Sequence, residues 1–260
     1  MSVPVFKLAF RLRLTATVSA AIGLIAVMIM VGALFPAVGH SIGKLHLPKG
    51  VADLLGGADY DTITGWYRSE IGSVYGPLVI GSVAIMAAAG STAGEEEERI
   101  LGLVLAQPVT RARLILGKAA AVAAGVLLVA LATWLGLVVG VAIAGGGIGV
   151  GDMTALSVHL AFFGLATGAV ALALGAGTGR RGLAIGVAAG IAILGYLVNG
   201  LAPLVGAIAW LRYLSLFYYY AGHDPLANGI DAGALAVLGL LAVALTGVAV
   251  IGIQRRDLRG

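Results

Sequence analysis

Four consecutive glutamates, Glu95 to Glu98, and the basic residues Arg99, Arg111, Arg113 and Lys118 lie between two long apolar runs in a chain where charge is scarce. Carboxylates and cations at this spacing can form ion pairs, cap a helix or present a docking surface. Thr92 followed by Glu95 has capping-box spacing, and carboxylates in a first turn suit the positive end of a helix dipole, so a new helix is predicted to begin there. Glu95 and Arg99 stand one turn apart and can pair, while Ile100, Leu101, Val104 and Leu105 supply an apolar side. Pro108 removes a backbone donor and disfavours helix at Gln107, so the chain turns before the next helix starts near Thr110 to Leu114. The expectation is a short helix from Glu95 to Ala106, held at an angle to its neighbours as a handle for something outside the membrane. The same residues would also serve as a solvated turn whose cations only set topology.

Other chemistries find less support. A phosphate loop is absent: Gly117-Lys118 has Ala112 at the first glycine position and Ala119 where the hydroxyl belongs, so ATP must bind elsewhere. An intramembrane protease of the Glu-Glu-x-x-x-Arg type would need arginine where Ile100, Leu101 or Gly102 stands. His40, His46, His159 and His223 include no pair at metal-ligand spacing on one helix, so neither a metal nor a catalytic site is assigned. Inside otherwise aliphatic stretches, Tyr75, Trp134, His159, Tyr196 and Asn199 are the candidates for a substrate path, although packing or interfacial anchoring is the more ordinary account of any one of them. Glycines recur four apart at Gly136 and Gly140, Gly164 and Gly168, Gly175 and Gly179, and along Gly182, Gly186 and Gly190. With 41 glycines in 260 residues, about six such pairs arise by chance, so the spacing assigns no interface, although the last row repeats along one face.

The elements that must position these residues are membrane helices. The 260 residues are 60% hydrophobic and 11% charged, far more apolar than a soluble domain, which makes this a polytopic membrane protein. The absence of cysteine excludes disulfides and thiolate metal sites. Apolar runs near 16–38, 71–93, 114–144, 155–178, 183–203 and 232–253 predict six spans in one all-α transmembrane domain over 1–260, without room for a folded soluble domain. Basic residues precede the first run, but its length reads as an uncleaved span. The stretch Phe6 to Arg13 before it, with Lys7 and Arg11 one turn apart, is expected to be an interfacial amphipathic helix.

Six spans put both termini on one side. Lys7, Arg11, Arg13, Arg99, Arg111, Arg113, Lys118, Arg180, Arg181, Arg255, Arg256 and Arg259 fall on that side, against Lys44, Lys49, Arg68 and Arg212 on the other, which predicts cytoplasmic termini. The loop 204–231 then faces outward. Its run from Leu204 to Tyr220, too short to span and rich in aromatics, is expected to form re-entrant helices or a helix lying flat on the surface. No Asp, Glu, Lys or Arg stands near the centre of a proposed span, which weighs against an ion-coupled carrier.

Glu98, Leu101, the Leu103 to Leu105 run, Gln107-Pro108-Val109-Thr110-Arg111 and Gly117-Lys118 resemble the segment between the second and third spans of ABC-2 type transporter permeases. Trp210 to Tyr219 and Asp224-Pro225-Leu226-Ala227-Asn228-Gly229 are similar to the late segment of such permeases, so the resemblance runs over essentially the whole chain. It implies that Glu95 to Ala106 acts as the coupling helix, with Glu95, Glu96, Glu97, Glu98, Arg99, Leu101, Leu105, Gln107, Pro108 and Arg111 as the residues that couple to an ATPase. It implies two copies of an ABC ATP-binding subunit as partners, with ATP and Mg bound there and no cofactor in this chain. A second permease copy or a sister permease would complete the path, in a bacterial or archaeal cytoplasmic membrane. The chain would not be an enzyme by itself and would bind no nucleic acid. An ion-coupled secondary carrier and a non-transporting membrane scaffold are the other functions compatible with a six-span chain.

Overall fold

Apolar helices need a start signal that the bilayer pattern itself does not provide, and the sequence places one at three entries. Thr62, Thr110 and Asp231 each turn a side-chain oxygen onto the backbone N–H three residues on, at 3.0, 3.3 and 3.0 Å. In the computed structural model, which describes residues 3–39, 41, 51, 60–98 and 109–256, these caps open three of six long helices. The six are α1 (Val3–Leu34), α2 (Ile63–Glu97), α3 (Arg111–Ile143), α4 (Val150–Thr178), α5 (Arg181–Leu201) and α6 (Ala232–Arg255). All six are long and apolar enough to cross a membrane, and no strand occurs among the described residues. The protein is a multi-pass helical membrane protein.

The boundaries shift from the predicted ones for local reasons. The basic segment ahead of the first run is helical, but it continues into α1 without a break. At about 1.5 Å per residue, α1 is roughly 48 Å long against a hydrocarbon core of about 30 Å, so its first turns project past the apolar layer. There Phe6 and Phe10 stack at 5.8 Å, while Lys7 and Arg11 stay exposed. The capping box at Thr92 and Glu95 does not form. The Thr92 hydroxyl donates back to the carbonyl of Ala88 at 2.9 Å, as hydroxyls inside a helix do, and α2 runs on through Glu97. The four glutamates therefore stand at the end of a helix and not at the start of one. Two stretches of α2, Arg68–Tyr75 and Gly90–Gly94, are wound as π-helix.

Helix α4 is the centre of the bundle: α2, α3, α5 and α6 all pack on it, and α1 lies against α3. Small residues set these approaches. A Cβ at Gly164 would press on Val126 and Ile80, and one at Gly168 on Val122 and Ala84, which wedges α4 between α2 and α3. Gly136 and Gly140 of α3 receive Met28 of α1, and a Cβ at Gly140 would collide with the Tyr67 hydroxyl. That hydroxyl donates to Met28 O at 2.9 Å and the Trp66 indole to Val31 O at 2.9 Å, fixing the start of α2 on the end of α1. Three of the four glycine sets are thus spent within the chain, whereas a side chain at Gly182, Gly186 or Gly190 would meet nothing.

Between α5 and α6 the chain forms 3-10 turns over Ala202–Leu204 and Gly206–Leu214, then short helices over Leu216–Ala221 and Pro225–Asn228. The first part is largely exposed. Leu216, Phe217 and Tyr220 are buried, with Phe217 edge-on to Phe163 of α4 at 4.8 Å and to Tyr196 of α5 at 5.3 Å.

Candidate functional site: a groove along the second spanning helix

Cavities follow one helix from end to end. At the end that carries the aromatic loop, a cavity of about 200 Å³ is lined by Arg68, Gly72 and Ser73 of α2, Tyr196 and Asn199 of α5, and Phe217, Tyr220 and Asp224. The lining residues of α2 belong to its π-helical stretch, a winding that recurs at functional sites because it displaces backbone groups from the regular ladder. The Ser73 hydroxyl bonds back to Arg68 O at 3.1 Å, and the Tyr220 hydroxyl donates to Gly72 O at 2.6 Å. Complete burial, with Asp224 nearby, pushes the Tyr220 hydroxyl well above its ordinary pKa, so it stays a donor. Arg68 and Asp224 pair at 2.5 Å across the mouth. Asp224 holds a left-handed backbone, φ 54°, unusual for a residue with a side chain.

Ser73, Tyr196 and Phe217 also line the next cavity, about 270 Å³, whose other walls are aliphatic: Leu78 and Ile85 of α2 and Ala189 and Ile193 of α5 among them. Ser82 in turn is common to that slot and a third groove of about 530 Å³, which reaches Arg13, Glu95, Glu98 and Arg181 at the charged end. A polar chamber, an apolar slot and a charged groove thus follow one another along α2.

The charged end is built from five helices. Carboxylates at a helix C-terminus oppose the macrodipole, so the end of α2 requires cations from elsewhere. Lys118 of α3, 2% exposed in its side chain, meets Glu95 at 2.7 Å and donates to Ser91 O; Arg13 of α1 approaches Glu95 at 3.5 Å. Arg256, just beyond α6, pairs with Glu96. Glu97 accepts the first backbone N–H of α5, from Arg181, at 2.8 Å, capping a helix whose own N-cap residue offers no side-chain bond. Arg111, at the start of α3, donates to Ile253 O at 3.0 Å and Arg256 O at 2.9 Å, closing the last turn of α6. Glu95 and Glu96 accordingly face inward and are buried, while Glu97 and Glu98 are exposed. Arg99, Leu101, Leu105, Gln107 and Pro108, and with them the expected helix beyond Glu98, lie outside the described residues.

Of the five path candidates, Tyr196 and Asn199 meet in the polar chamber. His159 does not line it. It is fully buried, with Nδ1 3.1 Å from Tyr220 O and Nε2 accepting the Asp231 N–H at 3.1 Å, so it ties α4 to the loop and to the start of α6. Trp134 donates to Thr154 Oγ1 at 3.0 Å between α3 and α4, and Tyr75 is on an exposed face of α2. Arg68 and Asp224 enter the sequence reading only as an outer-side cation and as part of the late segment; that they pair at this chamber is not visible there because they are distant in the chain.

A family model described as multidrug efflux system permease Rv1217c, C-terminal domain, matches residues 4–254. The chain belongs to this family of efflux permeases. No curated protein matches it. The match takes in all six spanning helices but for their outermost residues, so the groove along α2 and the pairing of Glu95 with Lys118 and Arg13 lie within the matched region, and Arg256 lies just beyond it.

Proposed function

We propose that the permease is the membrane subunit of an ABC-2 type exporter, driven by ATP hydrolysis on two copies of a separate ATP-binding subunit, with ATP and Mg held there. One observation carries the reading: at the end of α2, successive glutamates engage different helices, Glu95 with α3 and α1, Glu96 with Arg256 and Glu97 with α5. A push on the segment that follows Glu98 would therefore be delivered to several spans together, as a coupling element between α2 and α3 requires. The termini and this end face the cytoplasm of a bacterial or archaeal cell, in keeping with the distribution of Lys and Arg. A second permease copy or a sister permease completes the translocation path.

The polar chamber and apolar slot between α2 and α5 supply this chain's share of that path. A slot lined by Leu78, Ile85 and Ile193 below a chamber holding Arg68, Asn199 and Asp224 suits amphipathic drugs, in line with the multidrug description of the family. The test is co-purification with the neighbouring ATPase and reconstitution in vesicles. Substituting Glu98 or Pro108 is expected to leave ATP hydrolysis running while drug transport falls. Failure to associate with any ATPase, or flux that follows an ion gradient without ATP, would overturn the proposal.

A further inference from the structure

The groove at the charged end has a makeup that coupling does not call for. Its long walls are aliphatic: Leu12, Ala16 and Ala20 of α1 against Val83, Met86 and Ala87 of α2. Leu12 and Met86 are exposed, so the groove opens sideways onto the lipid-facing surface. From Arg13 to Ala20 it follows α1 for about 10 Å, roughly a third of a hydrocarbon core. Its charged rim holds two side chains left over by the ion-pair cluster. Glu95 is already shared by Lys118 and Arg13, but the Arg181 guanidinium and the Glu98 carboxylate form no ion pair and no side-chain hydrogen bond among the described residues. Both line the groove, together with Arg13. A cation and an anion that do not pair with each other, set above an aliphatic trough, complement a ligand with both charges on one head and a hydrocarbon tail.

We propose that this groove is a binding site for one bilayer phospholipid whose head carries a phosphate and a primary ammonium, as phosphatidylethanolamine does. The phosphate lies on Arg181 and Arg13, since guanidinium groups bind phosphate oxygens in a planar fork. The ammonium donates to Glu98. One acyl chain occupies the trough between α1 and α2. A trimethylammonium head offers no N–H to Glu98, and a glycerol head offers no positive charge, so the site discriminates among lipids of identical chains. The lipid would fill the space between α1, α2 and the start of α5, and so brace the helix that carries the carboxylates. This inference is independent of the ATPase: the site needs only this chain and a bilayer.

The test is native mass spectrometry of the full-length protein in detergent, titrated with phosphatidylethanolamine or phosphatidylglycerol of the same acyl chains. The expected result is a single tight phosphatidylethanolamine, bound at least tenfold more strongly than phosphatidylglycerol. Glu98→Gln should remove that discrimination while leaving phosphatidylglycerol binding intact. Arg181→Gln should weaken both lipids. Both side chains sit at the rim, so both variants are expected to fold, which thermal melting in the same detergent verifies. Equal affinity of the wild type for the two lipids would overturn the proposal, as would an equal effect of Glu98→Gln on both, or binding indifferent to Arg181→Gln.

Discussion

Replacing Lys118 by methionine tests whether the charged end is held together electrostatically. The lysine side chain is 2% exposed and its partner Glu95 10%, so neither charge has bulk water to fall back on. Removing one member of a buried pair leaves the other uncompensated, a loss of about 3–5 kcal/mol. Lys118→Met keeps the volume and length of the side chain, and Arg13, 3.5 Å from Glu95, provides some remaining compensation, which places the cost near the lower limit, about 3 kcal/mol. Glu95→Gln is the harsher change, because Lys118 then retains only Ser91 O and the amide oxygen. The double variant removes both charges and should recover a large part of the loss, giving a coupling energy of about 2–3 kcal/mol. Unfolding curves in mixed micelles measure all three. Single variants that each cost under about 1 kcal/mol, or additive losses in the double variant, would refute the claim that this pair fastens α3 to α2.

Gly140→Ala places a methyl against the Tyr67 hydroxyl and Met28 O, and should cost about 1–3 kcal/mol by overpacking, whereas Gly186→Ala, with open space around it, should be neutral or stabilising by up to about 1 kcal/mol in the same unfolding assay. Arg111→Ala removes the two bonds that close α6; faster amide exchange confined to residues 250–256 is the expected reading. In an ultraviolet titration, Tyr213, lowered by its hydrogen bond from Arg212, should ionise before Tyr220, which burial raises. Because the native state holds the Tyr220 proton more tightly than the unfolded chain, stability should fall as pH rises past about 10 and be unaffected by this group below it. Tyr220→Phe should lessen that alkaline slope, to which Tyr60, also raised by burial, contributes in the same sense, at a cost of about 1 kcal/mol for the lost bond to Gly72.

The six spans were legible because a bilayer imposes length and apolarity on each segment separately, and the helix start near Thr110, set by the preceding Pro108, is a local signal of the same kind. Which face of each helix is buried was not legible. Helices α4 and α6 are both apolar all round, so no periodicity separates α4, at the centre, from α6 at its edge. The glutamates misled for a related reason. Four acids in a row look solvated, and only the folded chain brings Lys118, Arg13 and Arg256 to them from other helices. Tyr196 and Asn199 were found as polar residues in an aliphatic run, but Arg68 and Asp224 complete the chamber across more than half of the sequence.

The clasp between Arg256 and Glu96 bears on the order in which the protein can be made. Translation delivers α2 and its acids long before the residues that follow α6, so the nascent hairpin of α2 and α3 has Lys118 at hand but not the Arg256 contact. The carbonyls at the foot of α6 likewise find Arg111 waiting on a helix inserted earlier. Insertion of the sixth helix is therefore a locking event: it supplies the final counter-charge to an end of α2 that its own dipole disfavours.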